Sequence, residues 1–223
     1  MSIRLKKKFI YYVLIILALF FMCLRGDLLV EEGVVYSVLD VIKGLPGGRS
    51  IDAATAFRSG VTWWVYLLLP VVCIPFASYL SEERKSGYYL FEKERQGTVR
   101  YLLVKSVFAF TSSALILFVV IAAYAAVVYY NFDSALSGGW MVFGRQVLAK
   151  YAYVQVYAFM LSCMAGLFVY VYNDMYVDIS LVLVLNYIFK DILIKDRLSY
   201  PAAALMLTLV LYVAVKKTRC DAI

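Results

Sequence analysis

Histidine is absent from this 223-residue chain. Its absence removes Ser-His-Asp triads, histidine-ligated zinc and histidine proton relays from the available chemistry. Cysteine is scarce. Cys23, Cys73, Cys163 and Cys220 show no CxxC spacing, so no disulfide framework or cysteine metal site is encoded. Three of them lie in apolar runs, where cysteine acts as a small hydrophobe. Charge is thin, at 17% of residues against about 25% in an ordinary soluble chain. No P-loop of the form GxxxxGKS or GxxxxGKT occurs, so the chain carries no nucleotide-binding motif of its own. The paired glutamates Glu82-Glu83 lack the histidines that a membrane metalloprotease needs, and Asp178 is the one aspartate near an apolar run, where an intramembrane aspartyl protease needs two. The sequence therefore reads as a non-enzyme.

What the chain does contain is apolar surface. It is 64% hydrophobic, with a mean hydropathy of +0.81, and the excess is gathered into long runs. This is the composition of an integral membrane protein. The net charge of +7 reads as positive-inside topology, and the basic residues are not gathered in one stretch but occur in every loop. A nucleic-acid-binding protein would gather it on one face.

The runs predict an all-α, polytopic protein: a single transmembrane domain over residues 1–223 with six spans. The first is Phe9–Leu24, preceded by Arg4 and Lys6 to Lys8 and lacking a small-residue cleavage site after it, hence an uncleaved signal-anchor. Residues 25–60 form an extracytoplasmic segment. In it Val34, Val35, Val38, Val41 and Ile42 recur at helical spacing and predict an amphipathic surface helix, ended by Pro46-Gly47-Gly48. The second span, Val61–Leu80, has Trp63 and Trp64 at its outer end and a kink predicted at Pro70 and Pro75. The third is Val107–Tyr130. Asn131–Lys150 reads as a second outer loop turning at Gly138-Gly139, and Tyr151–Tyr172 as the fourth span. Tyr176–Phe189 is short and carries Asp178 and Asn186, so it either spans or re-enters. The sixth is Leu198–Val215, closed by Lys216, Lys217 and Arg219. The balance of basic residues on the two sides is the same with five spans or six, and the short basic tail favours six, with both termini cytoplasmic.

Between the second and third spans lies the one densely charged stretch, Ser81–Lys105. Its charges are interleaved with Tyr88, Tyr89, Leu90, Phe91, Val99, Leu102 and Leu103. This pattern suits a short helix at the membrane surface with a face for a soluble partner; the plainer reading is a solvated loop.

The stretch runs Glu83, Gly87-Tyr88-Tyr89, Arg95, Tyr101, then Lys105 at the start of the third span. It resembles the first cytoplasmic loop of type-2 ABC exporter membrane subunits, in which a glutamate-x-x-x-glycine element precedes an arginine and a lysine that opens the third span. The chain departs from that pattern with Glu92-Lys93-Glu94 before the arginine and Gln96-Gly97-Thr98 after it, where the family often has Pro or Ile followed by Ser. The resemblance implies a coupling helix seated in a separate ATP-binding subunit, two copies of which would pair with two permease chains, either two of this one or this one and a related partner. ATP and Mg would be bound by those subunits, with no cofactor in this chain. It further implies that Glu83, Arg84, Gly87, Tyr88, Tyr89, Arg95 and Lys105 carry the coupling. Glu83 and Arg95 would be ion-pair candidates, Gly87 would permit a tight bend and Lys105 would anchor the third span at the lipid headgroups.

Pro70, Pro75, Tyr157, Ser162 and Asn186 are the candidate pathway residues. A pathway lined by Tyr, Ser and Thr suits an amphipathic or hydrophobic cargo, a peptide foremost by analogy with small bacteriocin-type exporters. The expected location is the cell membrane, with lipids as surroundings and no nucleic acid as partner. The alternative function is a standalone membrane immunity or binding protein that sequesters a peptide.

Overall fold

The structure is a computed structural model that describes residues 2–31, 34–44, 51–61, 69–132, 138–172 and 175–195. In chain order its elements are α1 (Ser2–Leu24), β1 (Asp27–Glu31), β2 (Val34–Ser37), α2 (Val38–Ile42), α3 (Ala53–Gly60), a 3-10 turn (Leu69–Cys73), α4 (Ile74–Lys85), α5 (Tyr88–Gln96), α6 (Thr98–Asn131), α7 (Trp140–Tyr172) and α8 (Met175–Lys195). The molecule is mostly helical. Two of the described helices are long and apolar enough to cross a membrane, over Arg100–Asn131 and Trp140–Val169. Shorter apolar helical stretches lie at Ile10–Leu24 and Tyr176–Tyr187. The proposed sixth span Leu198–Val215, the basic tail with Cys220, the Trp63-Trp64 belt and the Pro46-Gly47-Gly48 turn lie outside the described residues.

The chain divides into two compact units, Met1–Leu68 with Ile116–Val154, and Leu69–Leu115 with Gln155–Ile223. Helices α6 and α7 each contribute one part to each unit.

In the first unit the all-helical expectation fails at residues 27–37. These form an antiparallel hairpin, with Val30 opposite Val35 and Glu31 opposite Val34. The surface helix expected over 34–42 is confined to Val38–Ile42. The physical reason is local: Val34-Val35-Tyr36 is a β-branched and aromatic run, and it pairs across to Leu29 and Val30. Helical spacing alone did not distinguish this strand from a turn of helix. Helix α2 begins at a capping box, with the Ser37 hydroxyl accepting from the Asp40 N–H and the Asp40 carboxylate accepting from the Ser37 N–H. Leu19 and Cys23 of α1, Phe57 of α3 and Tyr124 of α6 are all buried in this unit. Phe57 stacks on Tyr124 with ring centroids 5.7 Å apart and meets Phe143 of α7 edge-on at 5.9 Å.

The loop expected over Asn131–Lys150 is shorter than that. Gly138 and Gly139, at φ +79° and +83°, do turn the chain, but α7 starts at Trp140 and takes in the remainder up to Lys150. The aromatic pairs Tyr129–Trp140 and Phe118–Tyr151 fix α6 and α7 as antiparallel neighbours in this unit, since a step back along one matches a step forward along the other.

In the second unit the same antiparallel pairing is held by Phe110–Phe159 and by the Gln155 amide, which donates to the Ser113 hydroxyl (3.0 Å) and the Phe110 carbonyl (3.1 Å). Of the expected second span, Val61 and Leu69–Leu80 are described, and the two prolines stand where the 3-10 turn meets the α-helix. Pro70 lies in the 3-10 turn, and Pro75 stands in the first turn of α4, where its missing N–H breaks no helical bond. Helix α4 then continues to Lys85, so the first charged residues of the 81–105 segment are helical extension rather than loop. Helix α8 has 21 residues and outruns the short apolar stretch that suggested it.

Candidate functional site

The segment between α4 and α6 is a short helix set between two glycine pivots. Helix α5 has nine residues. Gly87 before it has φ +72° and ψ 0°, a left-handed conformation, and Gly97 after it has φ +80° and ψ 148°, a region open essentially to glycine alone. The expected tight bend at Gly87 is present, and Gly97 supplies a second.

Helix α5 is oriented against the usual rule. A surface helix normally turns its apolar stripe inward. Here Tyr88, Leu90 and Phe91 are 50%, 46% and 58% exposed, and no residue of the helix is buried. The side turned toward the protein carries Tyr89, Glu92, Lys93 and Gln96, all half-buried. Glu94 and Arg95 are exposed beside the aromatic residues.

Beneath the inward side is a buried ionic cluster. The Lys105 ammonium of α6 lies 2.8 Å from one carboxylate oxygen of Glu83 on α4 and 2.9 Å from Glu92 on α5. It also donates to the Tyr79 hydroxyl at 3.0 Å, while the Tyr101 hydroxyl donates to the other Glu83 oxygen at 3.0 Å. Tyr79 and Glu83 stand one helical turn apart on α4, as do Tyr101 and Lys105 on α6, so each tyrosine reaches across to the charged residue of the other helix. Both rings lie within about 5 Å of the ammonium, at 4.8 Å and 5.0 Å to their centroids.

These positions correct two expectations. Glu83, expected as an ion-pair candidate at a docking site, is only 3% exposed at its side chain and is engaged by Lys105 and Tyr101. Lys105 does not reach for headgroups: its side chain is 8% exposed and turned into the protein. The reason is electrostatic. A carboxylate and an ammonium at the feet of two packed helices lose hydration, and pairing with added hydrogen bonds offsets that loss. Arg84 is likewise turned inward, donating to the Val169 carbonyl of α7 at 2.7 Å. Tyr88 and Arg95 remain on the exposed side of α5, and Tyr89 is half-buried. Sequence spacing did not bring Glu92 to this cluster, nor the hydroxyls of Tyr79 and Tyr101, though for the two tyrosines a signal exists. For Tyr79 and Tyr101 that signal is the repeated tyrosine-x-x-x-charge pattern on the two flanking helices, Tyr79 to Glu83 and Tyr101 to Lys105.

The candidate pathway residues lie elsewhere in the second unit and are packed. Tyr157 donates to the Asn186 side-chain oxygen, Ser162 donates to the Ala158 carbonyl (3.0 Å) and lies 3.5 Å from the Cys73 sulfur, and all three are nearly inaccessible. Pro70 is buried and Pro75 half-buried. None of them lines the cavity that opens in the first unit between α6 and α7. That cavity is about 490 Å³ and is walled by Phe118, Ala122, Ala126, Trp140, Gly144 and Tyr151 among others. Among the described residues no cluster of Cys, Asp and Glu is arranged to hold a metal ion.

No family model, curated protein or solved structure matches this chain.

Proposed function

We propose that this chain is the membrane-spanning permease subunit of an ATP-driven ABC exporter, moving an amphipathic or hydrophobic cargo, a peptide foremost, with a separate ATPase subunit. The observation that carries this reading is α5. It is a nine-residue helix between two glycine pivots, it joins α4 to the long apolar helix α6, and it turns Tyr88, Leu90 and Phe91 away from its own protein. An exposed aromatic face with an adjacent arginine is the chemistry of a docking surface. In this reading the chain crosses the membrane six times, both termini are cytoplasmic, two copies or two related chains pair, and each α5 seats in one ATPase. ATP and Mg belong to that partner, and closure of the two ATPases drives the permease between inward and outward states.

The test is purification of the chain from its native membrane in mild detergent, with identification of what co-elutes. A stoichiometric P-loop ATPase that disappears when the exposed face of α5 is mutated supports the reading. Its absence from wild-type preparations that retain a folded chain sinks it.

One observation favours a second reading. The apolar cavity of the first unit lies within the size range of small-molecule sites. A standalone immunity or binding protein would sequester an apolar peptide segment there. Such a protein would co-elute with peptide and without ATPase, and substitutions on α5 would leave its activity intact.

A further inference from the structure

The ionic cluster contains one cation and two carboxylates, and the carboxylates are unequal. Glu83 is 3% exposed at its side chain and is held by both Lys105 and Tyr101. Glu92 is 20% exposed at its side chain and accepts from the Lys105 ammonium at 2.9 Å. Lys105 also holds Tyr79. If Glu92 leaves, Lys105 therefore keeps a carboxylate, a hydroxyl and two flanking rings, and no unpaired charge is left buried. If Glu83 leaves, a carboxylate with 3% exposure loses its place and the ammonium loses its more deeply buried partner.

Helix α4 is joined to α5 by Ser86-Gly87 and α5 to α6 by Gly97, and at both glycines an added side chain would meet no heavy atom within 4 Å. Open space at both ends leaves α5 free of a backbone wedge. What seats it on the stem formed by α4 and α6 is its inward side, and Glu92 is the charged contact that side makes with Lys105.

We infer that Glu92–Lys105 is a releasable latch that seats α5 on α4 and α6, while Glu83–Lys105 is the permanent bridge that keeps the stem closed whether the latch is made or broken. The inference deepens the docking reading of α5: the latch sets the position of the helix before a partner engages, and its release lets α5 follow the partner without unfolding the stem. The asymmetry between the two carboxylates is what makes this two-state element cheap to switch.

The experiment uses the full chain in detergent micelles or lipid nanodiscs, without any ATPase, and reads amide hydrogen exchange by segment together with the thermal midpoint. In Glu92→Gln, exchange across Tyr88–Gln96 rises by about fivefold or more while α4 and α6 keep their protection and the midpoint stays near wild type. In Glu83→Gln the midpoint falls and α4 and α6 lose protection together. Unchanged exchange in α5 of Glu92→Gln, or equal loosening of all three helices, overturns the latch. Because no partner is present, this outcome is separate from the co-purification result: a latch without a co-eluting ATPase would leave the inference standing and the transporter reading fallen.

Discussion

The hydroxyl of Tyr124 on α6 occupies the place where a side chain at Gly60 on α3 would stand. The same hydroxyl donates to the Ala56 carbonyl at 2.8 Å, and the Cys23 carbonyl closes the other side of the glycine. Gly26 is confined in the same way by Ser59 and Gly60. The first unit is thus closed by a crossing that only glycine fits. Gly60→Ala is expected to lower stability by about 1–3 kcal/mol, the usual cost of overpacking a filled core. Tyr124→Phe does not relieve it, because the ring carbon that bears the hydroxyl and the Cys23 carbonyl also obstruct the new methyl. Thermal unfolding of the two single variants and the double variant checks this, and full rescue by Phe would contradict it.

The two pivots of α5 differ in a way that stability measurements resolve. Neither has neighbours that a methyl group would strike, so the cost of substitution is backbone conformation alone. Gly87 sits in the left-handed helical region, worth about 1–2 kcal/mol to an alanine and less to an asparagine. Gly97 sits where alanine is nearly excluded, at about 1–3 kcal/mol. The expected order of thermal midpoints is Gly87→Asn highest, Gly87→Ala next and Gly97→Ala lowest. Equal loss at both positions would remove the distinction.

Much of this architecture is legible in the residues, and the failures have local causes. The apolar run at Phe9–Leu24 is the body of α1, and Val107–Tyr130 is the body of α6, because long unbroken apolar stretches have few alternatives. Val34-Val35-Tyr36 misled because a short apolar run fits either period, and pairing with Leu29 and Val30, a tertiary fact, decided for a strand. Helix starts were missed where they extend into charged sequence. Lys105 and Arg100 lie within α6, and Lys150 within α7, since a charge with a partner or a wet surface does not interrupt a helix. At the candidate site the helix, its first glycine pivot and its exposed aromatic residues are legible. The pairing of Glu83 with Lys105 is not, because sequence spacing gives no measure of burial across two helices.

Acid is expected to loosen the start of α2 before the rest of the first unit. Hydrogen bonds from the Ser37 hydroxyl (2.7 Å) and its backbone N–H (3.0 Å) hold the Asp40 carboxyl below its ordinary range, with smaller help from Lys43 and Arg25. The depressed folded-state pKa means that the cap's contribution is complete above the unfolded value of about 3.9 and is lost as pH falls through the folded value. Amide exchange at Val38–Ile42, followed as pH is lowered, should show this, and Asp40→Asn should show no such acid response. An identical acid response in that variant would assign the effect elsewhere.

Substitutions on the exposed side of α5 should separate docking from folding. Phe91→Asp and Arg95→Glu change residues that are exposed and outside the ionic cluster, so the thermal midpoint is expected to move by less than about 0.5 kcal/mol equivalent. In a chain that docks through this face, both variants lose the co-purifying ATPase and cargo export at equal membrane abundance. Export at wild-type rate in both would dismiss α5 as the coupling element.

Helix α6 has 34 residues and is therefore about 51 Å long, against about 30 Å for the hydrocarbon layer of a bilayer. Were α6 to cross a bilayer, as in the proposed function, the surplus would be taken up by tilt or by protrusion, and Lys105, near one end, marks where the apolar body begins. Membrane thickness would then act on this protein as a ruler, a thicker bilayer holding α6 upright and a thinner one tilting it. The depth of the cluster that seats α5 would in this way be set partly by the surrounding lipid.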